Sequence, residues 1–136
     1  MLLQPKKIKF KKLKKNYLSN LNKTSLSKLH HGFIGLKALS STRINSRQIE
    51  AVRQTINREL SRKGKIWINI FPHTPVTQTP TENRMGKGKG SVSYWCAPIK
   101  VGTLLFEING VSTFKAKQAL KKGASKLSIK TEIITR

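Results

Sequence analysis

Aspartate is absent from this sequence, and the five acids among its 136 residues are all glutamates: Glu50, Glu59, Glu82, Glu107 and Glu132. Without Asp the usual magnesium ligand of a nucleotide hydrolase is missing. The glutamates form no dyad at any local spacing. Cysteine occurs once, at Cys96, which excludes an intramolecular disulfide and offers no zinc cluster. Cys96 lies among alternating strand residues, a place for a buried small hydrophobe rather than a nucleophile. His30 and His31 stand in a lysine-rich segment that does not organise them as bases, and His73 follows Pro72 with no evident partner. Uninterrupted apolar runs are only a few residues long, too short for a transmembrane helix. No catalytic residue, metal ligand or cofactor is expected.

What the chain holds instead is positive charge. Twenty-eight Lys and Arg against five acids leave a formal net charge of +23. In a lone compact domain that charge repels itself, whereas a polyanion takes it up and releases counterions on binding. Nucleic acid is the expected partner. A membrane surface is the rival and calls for a basic amphipathic helix or an apolar anchor. The hydrophobic share of 37% is low for a globular chain, so the folded part is expected to be shorter than the whole.

The boundary falls near residue 31. Residues 1–31 hold nine lysines and no acid, without steady apolar periodicity. They read as an extended basic tail that orders against a partner. A mitochondrial transit peptide competes, but such peptides favour arginine and the first one here is Arg43. Residues 32–136 read as one α+β domain, with two helices on a mostly antiparallel or mixed sheet. Gly32 to Leu39 is expected to be a short strand anchored by Phe33. Asn45 is a predicted N-cap, with Gln48 closing a capping box. Ile49, Val52, Ile56 and Leu60 then recur at helical spacing as far as Gly64, and Arg47, Arg58 and Arg62 occupy the opposite face. Lys65 to Phe71 alternates as a strand. Ser91–Ile99 and Thr103–Asn109 predict a hairpin around Gly102. A second helix is expected from about Ser112 to Leu127, with Ala116, Leu120, Ala124 and Leu127 inward, before a last strand through Ile129, Thr131 and Ile133.

Residues 72–91, with three prolines and three glycines, read as a long projecting loop without regular structure. Within it, Arg84-Met85-Gly86-Lys87-Gly88-Lys89-Gly90-Ser91 places charge at alternate positions on a backbone that can approach phosphates closely. RNA contact is the favoured reading in so basic a chain, and a solvated hairpin tip is the alternative. A Walker loop needs four residues between its first Gly and a Gly-Lys-Ser/Thr end, which this spacing does not supply, and a dinucleotide fingerprint fails because Ser91 stands where a third glycine is needed. Trp67, Trp95, Tyr94 and Phe71 could stack on bases. Core packing is the expectation for most of them, with either tryptophan a possible support beneath the loop.

Several of these stretches together resemble a known family, the bacterial-type large-subunit ribosomal protein L-sixteen. They are Met1 to Lys12, Gly35-Leu36-Lys37-Ala38, Arg47-Gln48-Ile49-Glu50-Ala51, Gly64-Lys65-Ile66-Trp67-Ile68, Pro80-Thr81-Glu82 and Arg84 to Gly90. Tyr94-Trp95, Phe106-Glu107, Gly110-Val111 and Lys126 to Thr131 continue the likeness along nearly the whole chain. Departures are concentrated in Asn16 to His31, which lacks the family's Gly and Arg, and at His73, Thr79 and Ser128. The resemblance implies a structural ribosomal protein, not an enzyme, that binds large-subunit rRNA and supports late subunit assembly. It also implies a place beside A-site tRNA near the peptidyl transferase centre. Implied contacts are Arg84, Lys87, Gly88 and Lys89 of the loop, Lys6, Lys7, Lys9, Lys11 and Lys12 of the tail, and Arg47, Arg58 and Arg62. Neighbouring ribosomal proteins are expected partners; a membrane and a homo-oligomer are not. A free-standing RNA chaperone or assembly factor is the other reading. Lysine outnumbers arginine 21 to 7; that bias, with no targeting extension, suggests a mitochondrial ribosome, then a plastid or bacterial one.

Overall fold

The structure is a computed structural model that describes residues 3–14, 28–84, 86 and 88–136. Its order is β1 (Ile34–Ala38), β2 (Thr42–Asn45), α1 (Ser46–Glu59), β3 (Lys65–Ile68), β4 (Thr74–Gln78), β5 (Ser91–Ile99), β6 (Leu104–Asn109), α2 (Thr113–Ala124) and β7 (Thr131–Thr135). The α+β class is as expected, but the strands form two sheets. One has the order β3-β6-β1-β7 and the other β2-β5-β4, and every pairing is antiparallel.

The hairpin expected around Gly102 does not form. β5 pairs with β2 and β4, whereas β6 pairs with β1 and β3. The reason lies in the turn between them. Gly102 donates its N–H to Ala38 O at 2.8 Å, and Ala38 N–H donates to Thr103 O at 2.9 Å. The backbone after β5 is therefore captured by the end of β1, which carries the chain into the other sheet.

The first helix begins as its sequence predicts. Asn45 accepts at its side chain from the Arg47 N–H, and the Gln48 side chain accepts from the Asn45 N–H at 2.9 Å. Ile49, Val52, Ile56 and Leu60 are all buried. The end comes earlier than expected, at Glu59, because Ser61 and Arg62 already have φ of 50° and 61° ahead of Gly64. That conformation costs a non-glycine residue about 1–2 kcal/mol, which the burial of Leu60 helps to offset. The second helix also stops early, at Ala124, with Ala116, Ala119, Leu120 and Gly123 buried against α1 and the sheet.

Two further corrections concern strands. β1 is anchored by buried Ile34 and Leu36, whereas Phe33 is exposed. Residues 72–91 are not wholly irregular, since β4 lies inside them. Pro75 is tolerated there because β4 is an edge strand, so a missing N–H breaks no ladder. β3 likewise ends at Ile68 rather than Phe71.

Ile34, Leu36, Phe106 and Ile108 join Ile56 and Leu120 in the core. Alternation along the strands then places Gly35, Lys37, Glu107 and Trp67 on the sheet face away from the helices. Part of the expected tail covers that face. Leu29 reaches Gly35, where a Cβ would lie 2.6 Å from Leu29 Cδ2. At Gly32 a Cβ would lie 2.5 Å from Ile108 O, so only glycine lets the chain pass this close to β6. Leu3 packs against the core as well.

Candidate nucleic-acid interface

The basic loop is held at its base by β4 and β5. Their register closes with Thr77 opposite Val92 and Gln78 opposite Ser91, leaving residues 79–90 as the connection. A turn between Pro80 and Asn83, with Asn83 N–H donating to Pro80 O at 3.2 Å, starts it. Gly86 and Gly88 have φ of 98° and 86°, with open space where side chains would be. Both positions thus require glycine for the backbone path and leave room for a ligand to approach. The loop bounds a depression of about 590 Å³ whose lining includes Arg84, Gly86, Gly88 and Lys89. Arg84 and Lys89 are exposed. Lys87 and Met85 lie outside the described residues.

The tail meets this loop. Lys12 Nζ donates to Lys89 O at 2.7 Å, and Lys89 Nζ donates to Leu13 O. Two segments 77 residues apart, both cationic, therefore run together. Lys6, Lys7, Lys9 and Lys11 are exposed along the same segment. Its continuation through residues 15–27, which contains most of the divergent stretch from Asn16, lies outside the described residues.

The arginines of α1 form a separate surface. Arg47 and Arg58 are exposed, and eleven residues at about 100° each return to almost the same direction, away from Ile49 and Ile56. Arg62 is exposed just beyond the helix. None of the three lines the loop depression.

Acids explain why so much positive charge remains available. Among the described residues Glu50 binds Arg53 at 2.6 Å, Glu59 binds Lys122 at 2.7 Å and Glu132 binds Lys37 at 2.7 Å. Glu107 is fully buried and, among the described residues, forms no ion pair with a side-chain cation. Its Oε2 accepts the N–H groups of His30, His31 and Gly32 at 3.1, 2.7 and 2.8 Å, and its Oε1 accepts from Asn69 Nδ2 at 2.6 Å. Burial raises the pKa of this carboxyl, but the four donors outweigh it and hold the group below the ordinary carboxylate range. Glu107 thus fastens the end of the tail to the sheet. Sequence reasoning missed that role; the only signal was a lone acid inside the apolar run Leu104–Ile108.

The aromatic residues divide. His31 stacks on Trp67 with ring centres 5.8 Å apart and planes at 16°, and Lys65 Nζ lies 5.1 Å from the same ring. Trp67 is therefore engaged in the four-stranded sheet, whereas the loop joins two strands of the other sheet. Trp95, opposite Pro75, sits in the hairpin that carries the loop. Tyr94 and Phe71 are exposed, so the core packing expected for most of the four does not extend to these two. Cys96 is buried, and burial pushes its thiol pKa up, while Arg43 opposes the shift. No cluster of three or more His, Cys, Asp or Glu suited to a metal occurs among the described residues. None of their helices is long and apolar enough to cross a membrane.

A compact α+β body presenting a glycine-lysine loop and a basic tail is the build of a structural RNA-binding protein. The sequence matches the model of the family described as ribosomal protein L16p/L10e over residues 5–134, and the chain belongs to that family. It is similar to large ribosomal subunit protein uL16 of Mesorhizobium japonicum, with 50% identity over 99% of this chain and 98% of the relative. The proteins of that name from Sinorhizobium medicae and Cereibacter sphaeroides are each 49% identical over the same shares. Membership makes the chain a structural ribosomal protein rather than an enzyme.

Proposed function

We propose that this protein is a constituent of the large ribosomal subunit that binds large-subunit rRNA through the loop at 79–90 and the tail at 3–14. In this reading it contributes to the A-site tRNA environment near the peptidyl transferase centre and supports late subunit assembly. The supporting observation is the junction of Lys12 with Lys89, which merges two cationic segments into one surface. Like charges brought together gain when phosphates lie between them, and counterion release then drives binding. The glycines supply close backbone approach, and the chemistry of translation is left to RNA. Neighbouring ribosomal proteins are the other partners. The lysine-rich composition favours a mitochondrial ribosome, whereas the three relatives are bacterial; bacterial cytoplasm stands level with it.

The test replaces Arg84, Lys87 and Lys89 together with Ala. The fold should be nearly unaffected, since exposed substitutions change stability by about 0.5 kcal/mol or less. Subunit incorporation or tRNA accommodation should fall. A variant that melts normally and supports normal assembly and translation would show the loop to be a solvated hairpin tip.

A further inference from the structure

A second basic depression lies on the sheet face covered by the tail. It measures about 500 Å³ and is lined by Lys28, Leu29, Lys37, Ile134, Thr135 and Arg136. Its three cations come from segments far apart in the chain, and each is placed by a specific contact. Lys28 is placed by the Glu107 anchor, two residues beyond it at His30, and by Leu29 seated over Gly35. Lys37 projects from β1 beside Glu132. Arg136 is held where its N–H donates to Phe33 O at 2.9 Å, extending the β1–β7 ladder. Glu132 takes up Lys37, and among the described residues neither Lys28 nor Arg136 has an ion-pair partner. Leu29 and Ile134 supply the apolar part of its lining.

We propose that this groove is a second phosphate-binding site for rRNA, separate from the loop, and that Glu107 is the positioning residue that completes it by bringing Lys28 to the sheet. The inference rests on the rRNA-binding reading. RNA fits better than an acidic protein segment because the side chains of Lys28 and Arg136, with no ion pair among the described residues, line an open groove together with Lys37, as contact with phosphates requires. The depression belongs to the four-stranded sheet, whereas the loop hangs from the three-stranded one, so the two sites contribute independently.

The experiment measures binding of the full chain to a large-subunit rRNA transcript across a salt series. Lys28→Ala with Arg136→Ala should leave melting unchanged and make the log–log salt slope shallower by about 1 to 2, near 0.9 for each phosphate no longer neutralised. Glu132→Gln should tighten binding, an outcome that misfolding cannot imitate. In a Glu107→Ala background, Lys28→Ala should have no further effect, because the lysine is no longer delivered to the groove. If the double variant keeps the wild-type slope, or Glu132→Gln fails to tighten binding, while the loop variants still weaken it, the groove is not an RNA site and the proposed function stands. If the loop variants leave affinity and slope unchanged as well, the rRNA-binding reading itself fails.

Discussion

Replacing Glu107 should uncouple the tail from the body at a cost that the geometry allows to be sized. The carboxylate is fully buried and accepts three consecutive backbone N–H groups and one side-chain amide. In Glu107→Ala the Gly32 N–H, which lies in a buried bond, has no other acceptor, and an unsatisfied buried donor costs about 1–3 kcal/mol. The His30 and His31 N–H groups lie in part-buried bonds and can recruit water once the tail lifts. Removing the one packed methylene, Cγ, adds about 1 kcal/mol, for a total of about 2–4 kcal/mol. Glu107→Gln keeps one oxygen for the three N–H groups and needs only a turned Asn69 amide to meet its own NH₂. It should cost less, about 1–2 kcal/mol, the difference between charged and neutral hydrogen bonds.

The pH dependence carries the sign. The folded pKa of Glu107 lies below its ordinary value, so its contribution is complete above the unfolded pKa and is lost as pH falls through the folded one. Denaturant unfolding across the acid range should therefore show the wild type losing more stability than Glu107→Gln as pH drops, until the two converge. Parallel curves for the two proteins would refute the anchor as an ionised, stabilising group. Equal stability of Glu107→Ala and wild type at neutral pH would refute it outright.

Helix packing offers a second test. A Cβ at Gly123 would lie 2.9 Å from Ile56 Cγ1 and 3.3 Å from Val52 Cγ1, both in the core. Overpacking of about 1–3 kcal/mol should exceed the roughly 1 kcal/mol gained in helix propensity, so Gly123→Ala lowers the melting temperature. In an Ile56→Ala background, itself costing about 2–5 kcal/mol, the same methyl should be harmless or helpful. Binding to rRNA should weaken roughly a thousandfold or more between 50 and 200 mM salt if about six phosphates are neutralised; a flat response measured by filter binding would mean that other interactions dominate.

The local chemistry of the chain by itself determined the first helix and the burial of Cys96. Asn45 and Gln48 form a capping box with neighbours three residues apart, and the spacing of Ile49, Val52 and Ile56 allows only one buried face. Charge is additive along a chain, so an excess of Lys and Arg with no Asp points to a polyanion in any fold. The number of sheets was decided only in three dimensions. Whether β5 turns back on β6 depends on Ala38, more than sixty residues away, capturing the backbone at Gly102 and Thr103. β4 stayed hidden because its proline and scarce apolar residues are tolerable only on an edge, and a sequence does not say which strand lies at an edge. The two cationic surfaces share this dependence. Lys12 meets Lys89, and Lys28, Lys37 and Arg136 line one groove, because the fold brings together segments distant in sequence. The carboxylate that places Lys28 reads along its strand as one polar residue among apolar ones. Its meaning comes from three N–H groups about 75 residues upstream.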